Sequence, residues 1–157
     1  MKTIIIVCGE RDWKDRETIY RVLDEKLYEH ERLWILSHGG TGRQPAEMQA
    51  PMLADFILRH GICEGADWIA NEWGLERGVT VERFRAEWRD ASGYHPEAGP
   101  VRNRQMAKTE PRTEKCLAFW SGKMRIRSGK REYSGTLDMM QAALGEGIPV
   151  SITPPRK

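Results

Sequence analysis

Hydrophobic and polar positions along the chain alternate between two periods. Residues 3–8 (TIIIVC) form an unbroken apolar run that stops at Gly9, the pattern of a strand buried on both faces of a parallel sheet. After the charged loop ERDWKD, Ile19, Val22, Leu23 and Leu27 recur at helical spacing. They predict a helix from about Arg16 to His30, with Asp15 as its N-cap. Residues 56–60 (FILRH) read as a second strand. Ala66 to Arg77 read as a helix with Ile69, Ala70 and Trp73 on one face and Gly78 at its C-terminal stop. VTVERF (79–84) alternates as a strand, and a helix begins at Pro100, where a missing N–H costs nothing; Arg102 and Asn103 then fall in its first turn. KCLAFW (115–120) is a fourth strand. Ser134 to Leu144 predict a helix lined by Leu137, Met140 and Leu144, and GEGIPVSIT ends it and supplies the last strand.

Two stretches fit this alternation poorly. In 31–55, LWILSHGGTG reads as another strand and glycine turn, and PAEMQAPMLAD as a short helix interrupted by Pro51; the region from about 33 to 55 is taken as an insertion. A second insertion spans 123–133, where Met124 and Ile126 alternate with Arg125 and Arg127 ahead of a Ser128-Gly129 turn, the pattern of a basic β-hairpin. The TPPRK tail is expected to fray. Strands alternating with helices at this spacing give an α/β fold with a mostly parallel, doubly wound sheet. Ligands in such sheets lie beyond the carboxyl ends of the strands.

Composition narrows the picture. With 157 residues, the chain has the length of one domain, and 39% hydrophobic against 31% charged residues is a globular balance. No apolar run approaches the roughly 20 residues of a membrane span, and the start MKTIIIVCGERDW lacks a signal-peptide core, so no membrane association is expected. Cys8, Cys63 and Cys116 are far apart with no C-x-x-C pair, which favours a reducing cytoplasm and argues against metal. A net charge of +2 does not itself announce nucleic acid, although the basic cluster at 123–131 offers a local site.

Candidate chemistry gathers at four strand ends. C-G-E-R-D-W departs from the G-x-G-x-x-G of dinucleotide folds, so no nicotinamide or flavin cofactor is expected. In that stretch Gly9 permits close approach, Arg11 suits a phosphate and Asp12 a ribose hydroxyl, although taken alone a solvated loop with an Arg–Asp surface pair is the simpler reading. R-H-G-I-C-E-G-A-D places His60, Gly61, Gly65, Ala66 and Asp67 at a helix mouth with backbone N–H groups for an anion; Asp67 equally serves to steady the helix dipole. In A-G-P-V-R-N-R-Q-M, Arg102 and Asn103 near a helix N-terminus are explained by an anion or by solvent exposure. The fourth end joins Trp120, Gly122 and Lys123 to Ser134, Gly135 and Thr136, hydroxyls and N–H groups for a phosphate that are also ordinary capping residues. No G-x-S-x-G, Walker sequence or metal-ligand spacing is present, so the residues alone stop at an α/β domain for a phosphorylated ligand.

Taken in order, these motifs resemble the SLOG superfamily, in its YspA-like (YpsA-related) branch of bacterial and phage domains. The resemblance rests on Gly9-Glu10-Arg11-Asp12-Trp13, on His60 to Asp67, on Ala86-Glu87-Trp88 followed by Ala98 to Met106, and on Phe119 to Lys123 with Ser134 to Thr136. It implies one three-layer Rossmann-like domain with about five strands, binding of nucleotides or their derivatives, and homo-oligomers. Relatives include the lonely-guy phosphoribohydrolases and the DNA-processing protein A family, which binds single-stranded DNA. The hydrolases carry P-G-G-x-G-T-x-x-E, and here Met139 stands where that motif has its Glu, while Asp138 is one position off and about 100° round the helix. Methionine does no acid–base work. The expectation is therefore a nucleotide-binding protein that senses or sequesters its ligand without catalytic residues. A nucleoside monophosphate hydrolase and single-stranded nucleic-acid binding through 123–133 are the alternatives.

Overall fold

A computed structural model describes residues 1–39, 46–127, 130–132 and 134–157, and the side chains among 125–133 lie outside it. Strands β1 (Thr3–Gly9), β2 (Phe56–His60), β3 (Thr80–Arg83), β6 (Lys115–Phe119) and β9 (Val150–Thr153) form one parallel sheet in the order β3-β2-β1-β6-β9. Helices α1 (Arg16–Ser37) and α3 (Ala66–Arg77) cover one face, and α4 (Ala98–Lys108) and α5 (Gly135–Gly145) the other. This is the three-layer Rossmann-like sandwich. Two antiparallel hairpins project from it, β4 (Arg89–Asp90) with β5 (Gly93–Tyr94), and β7 (Arg125–Arg127) with β8 (Lys130–Glu132). The second is the hairpin expected within 123–133; its turn, Ser128-Gly129, lies outside the described residues.

Successive residues of β1 serve opposite layers, because side chains alternate along a strand. Ile5 and Val7 pack with Ile19, Leu23, Phe56, Ala70 and Trp73, while Ile6 and Cys8 pack with Met106, Cys116, Met139, Met140 and Ala143. Trp73 is the first layer's largest fully buried side chain. Its Nε1–H donates to Asp24 at 2.8 Å, which also receives Arg77 Nε at 2.9 Å, so a polar clamp closes α1 on α3 over the core.

Several sequence expectations are corrected. α1 continues through the LWILS segment to Ser37 because Trp34 extends its buried face and donates to Asp55 at 2.9 Å, so those residues are helix and not strand. Pro51 does not interrupt a helix. The preceding turn is a short 3-10 segment, and α2 (Gln49–Ala54) starts at Gln49 with Pro51 in its first turn, where no N–H is needed. α4 begins at Ala98, two residues before Pro100, which moves Arg102 and Asn103 into its second turn. On α5 the buried face is Thr136, Met139, Met140 and Ala143, with Leu144 exposed. The tail is tied down: Arg156 donates its backbone N–H to Asp15 at 2.8 Å, and its guanidinium pairs with Asp15 and Glu17.

Arg59 fixes the height of α4 against the sheet. Fully buried on β2, it pairs with Glu82 at 2.7 Å and donates from Nη1 to Thr109 O, Pro111 O and Thr113 Oγ1, gathering the turn that follows α4. The C-terminal end of α4 is thereby anchored to the sheet.

Candidate functional site

The loop from β2 to α3 is built almost entirely from its own side chains. His60 is fully buried; its Nδ1 accepts from Ile62 N at 3.0 Å, so Nε2 carries the proton and donates to Asn71 Oδ1 at 3.0 Å. Burial pushes the imidazole below its ordinary range, which keeps this neutral tautomer. Asp67, also buried, accepts from Gly61 N at 3.1 Å and Cys63 N at 3.2 Å, and Ala66 N donates to Glu10 O at 3.2 Å. The N–H groups of 61, 62, 63 and 66 are thus spent within the fold. They shape the loop rather than stand open to an anion.

Arg102 takes the place that the loop amides leave. Its Nη1 donates to Gly61 O and to Phe84 O at 3.2 Å, and Nε donates to Asn103 Oδ1 at 2.9 Å. Among the described residues Nη2 meets only the Cys63 thiol, at 3.8 Å. The residue is 7% exposed, and no carboxylate is among these partners. Gly61 is required beneath it, since a Cβ there would lie 2.6 Å from the guanidinium carbon.

Beside Arg102 opens a cleft of about 630 Å³, within the roughly 300–1,000 Å³ of small-molecule sites. Four arginines line it, Arg11, Arg85, Arg89 and Arg102, against two carboxylates, Glu64 and Glu87, with Trp88 as its aromatic wall. Arg85 and Arg89 were not singled out by sequence, and Trp88 entered only within a motif. Their shared signal, a basic and aromatic run just past β3, is visible in R-A-E-W-R. A smaller cavity of about 140 Å³ near Thr3, His30 and Glu114 sits at the opposite, amino ends of the strands.

The remaining expected residues divide between scaffold and a separate turn. Gly9 packs against Ala66 Cβ and Phe119 O, and Gly65 caps α3 at φ +75° beneath the carbonyls of Glu10 and Arg11. Asp12 is exposed and does not line the cleft. Trp120 donates to Lys123 O at 3.1 Å, Gly122 turns at φ +88°, and Lys123 is exposed. Ser134 Oγ accepts from Leu137 N at 3.2 Å as the N-cap of α5, with Gly135 exposed and Thr136 buried. Glu10 ties this turn to the loop after β1: its carboxylate accepts from both Ser121 N and Ser121 Oγ. Asn103 bridges the two regions, donating to Asp138 Oδ2 at 2.9 Å and, at 3.5 Å, to Gly135 O.

Met139 is 1% exposed in the core beneath α5, so its side chain faces the sheet. The carboxylate nearest Asn103 is that of Asp138, which also lies 3.6 Å from Arg104. A Met139→Glu variant is therefore expected to lose on the order of 3–5 kcal/mol by burying an unpaired charge, and to gain no hydrolysis of nucleotides. Urea unfolding and base-release assays check both.

Burial is also the first cause that raises Asp67 from an ordinary 3.8 to about 6, against the two amide bonds and Arg102, which pull it down. Because the folded value is the higher, this group's stabilising contribution is full below pH 3.8 and is lost as pH rises through about 6. Asp67→Asn keeps an acceptor oxygen for Gly61 and Cys63 but no titration. Its urea midpoint, followed against pH, should lack the wild-type decline between about pH 4 and 6.

No group of three or more His, Cys, Asp or Glu suited to a metal occurs among the described residues, and no helix there is long and apolar enough to cross a membrane. The comparisons with known proteins match this architecture. Over 151 residues the chain is 28% identical to the gene 61 protein of Mycobacterium phage D29, covering 93% of this chain and 92% of that protein. Among solved structures, the DNA processing protein A (DprA) from Streptococcus pneumoniae superposes on 99% of the chain with a TM-score of 0.55 at 13% identity, a likeness of fold. The superposition takes in 51% of the DprA chain, so this protein spans about half its length. Residues 3–90, which carry β1 to β3, the 60–67 loop and Trp88, match the family model described as YspA, cpYpsA-related SLOG. The chain belongs to the YspA, cpYpsA-related SLOG family.

Proposed function

We propose that the protein binds a nucleotide or a nucleotide-derived phosphorylated small molecule in the Arg102 cleft, holding it without cleaving it. The observation that carries this reading is Arg102 itself. A buried guanidinium that hydrogen-bonds no carboxylate, with Asp67 near it only as a charge and its Nη2 against a thiol beside an arginine-lined cleft, is poised for an anionic oxygen. Arg11 adds a second, exposed cation for phosphate. Gly9, Gly61, Gly65, Ala66, His60 and Asp67 hold the loop in shape, and Asn103 orients Arg102. The turn with Trp120, Gly122, Lys123 and Ser134 to Thr136 is a second place for phosphate or for a neighbouring chain, whether a nucleic acid or another copy in a homo-oligomer. Family membership and the DprA-like fold support a nucleotide or nucleic-acid ligand. The test is calorimetric titration with nucleoside mono- and diphosphates, together with alkylation of Cys63, the half-buried thiol of the cleft. Saturable binding that slows Cys63 labelling is expected; binding that leaves the labelling rate unchanged refutes this location.

One observation favours a second reading. Asp138 beside Asn103 places a carboxylate next to the bridge into the cleft, as a nucleotide hydrolase requires. Release of free base from a nucleoside monophosphate, lost in Asp138→Asn, would establish it.

A further inference from the structure

The β4–β5 hairpin carries a feature the phosphate reading does not use. Trp88 belongs to neither hydrophobic core and is only half-buried, yet its position is tightly determined. Its carbonyl accepts from His95 N at 2.7 Å, closing the hairpin, and the turn is fastened by Asp90 Oδ1, which accepts from Ser92 N at 2.7 Å and Ser92 Oγ at 2.6 Å. The indole rests on the first turn of α4 at Gly99, where a Cβ would come within 2.9 Å of the ring. Tyr94 runs nearly parallel to it, with centroids 6.3 Å apart and planes 16° apart, and Arg89 lies over the Tyr94 ring at 5.4 Å. A large aromatic held in place outside the core, and lining a cleft with four arginines, presents a flat polarisable surface at little entropic cost on binding.

We infer that Trp88 is the ring-recognition element of the cleft, stacking on the heterocyclic base of the ligand, with the β4–β5 hairpin as its mount and Gly99 as the space that seats it. The inference rests on the proposed binding of a phosphorylated ligand beside Arg102, and it adds that the ligand carries an aromatic base, with purines favoured by their larger stacking area. Phosphate contacts alone do not distinguish a nucleotide from a sugar phosphate. The stacking surface does. Arg89, fixed against Tyr94, keeps a cation near the outer edge of the same wall.

The experiment compares adenosine 5′-monophosphate with ribose 5-phosphate by calorimetry on wild type, Trp88→Leu and Trp88→Phe, each first confirmed folded by circular dichroism and thermal melting. Loss of a stacked base corresponds to about 5- to 150-fold in affinity. Trp88→Leu should weaken adenosine monophosphate by at least about fivefold while leaving ribose 5-phosphate within about twofold, and Trp88→Phe should recover most of the difference. Equal weakening of both ligands, or of neither, overturns the stacking role while leaving the phosphate reading in place. Wild type that binds ribose 5-phosphate as tightly as the nucleotide also overturns it. Wild type that binds neither ligand overturns the phosphate reading and this inference with it. Should Trp88→Leu fail to fold, Trp88→Phe decides alone, because quenching of indole fluorescence by adenosine monophosphate must be lost in it while binding persists.

Discussion

Arg102→Met is expected to remove nucleotide binding and to cost roughly 2–4 kcal/mol of folding stability. Two effects act together. The methionine fills much of the volume but leaves Gly61 O and Phe84 O without their guanidinium donor inside the fold, and each orphaned carbonyl costs about 1–3 kcal/mol before relaxation. It also leaves Asp67, which Arg102 helps to keep ionised, with less positive charge nearby, so Asp67 should titrate at higher pH in the variant. Arg102→Lys separates the two contributions. It restores a cation but lacks the planar fork that reaches Gly61, Asn103 and the cleft at once, so it should recover part of the stability and little of the affinity. Urea unfolding measures the first and calorimetric titration the second. A methionine variant that binds the ligand at wild-type affinity would move the anion site away from Arg102.

Gly65→Ala should be the more damaging to the fold, by about 3–5 kcal/mol. Gly65 has φ +75° and ψ −122°, a region that L-residues avoid at a cost of about 1–3 kcal/mol. The added methyl would also drive into the carbonyls of Glu10 and Arg11, which lie on backbone and not on a movable side chain, adding about 1–3 kcal/mol of overpacking. The displaced segment carries Arg11, so the variant should lose affinity along with stability. A thermal melt within 2 °C of wild type would show that the β1 loop yields more easily than its position over α3 implies.

Much of the frame was legible because it depends on local periodicity. The unbroken run at 3–8, the five residues 56–60 and the Gly78 stop after α3 each declare their element without reference to the rest of the chain. The extent of α1 was hidden for the opposite reason. Leu33 and Leu36 are exposed and break the apolar period, while the contact that extends the helix, Trp34 to Asp55, spans 21 residues. The site shows the same division. His60, Asp67 and Arg102 were recognisable as a set, but the sequence offered their amides and charges to a ligand, whereas the fold spends most of them on one another. Met139 was read from its motif position and not its direction, and direction is fixed by which face of α5 meets the sheet. Arg85 and Arg89 follow a short β3 and carry no motif of their own, and Trp88 belongs to one that names no partner, so only the folded chain brings them to face Arg102.

The link from Glu10 to Ser121 sets a limit on reach. It stands where the sheet order changes sides of β1, the usual crevice for ligands in such folds, and it fills that crevice with the protein's own carboxylate. The loop after β1 and the turn after β6 are therefore joined at the carboxyl edge of the sheet by one side chain. A ligand seated in the crevice itself would have to take both of Glu10's donors, whereas one held in the arginine cleft need not, since neither Glu10 nor Ser121 lines that cleft.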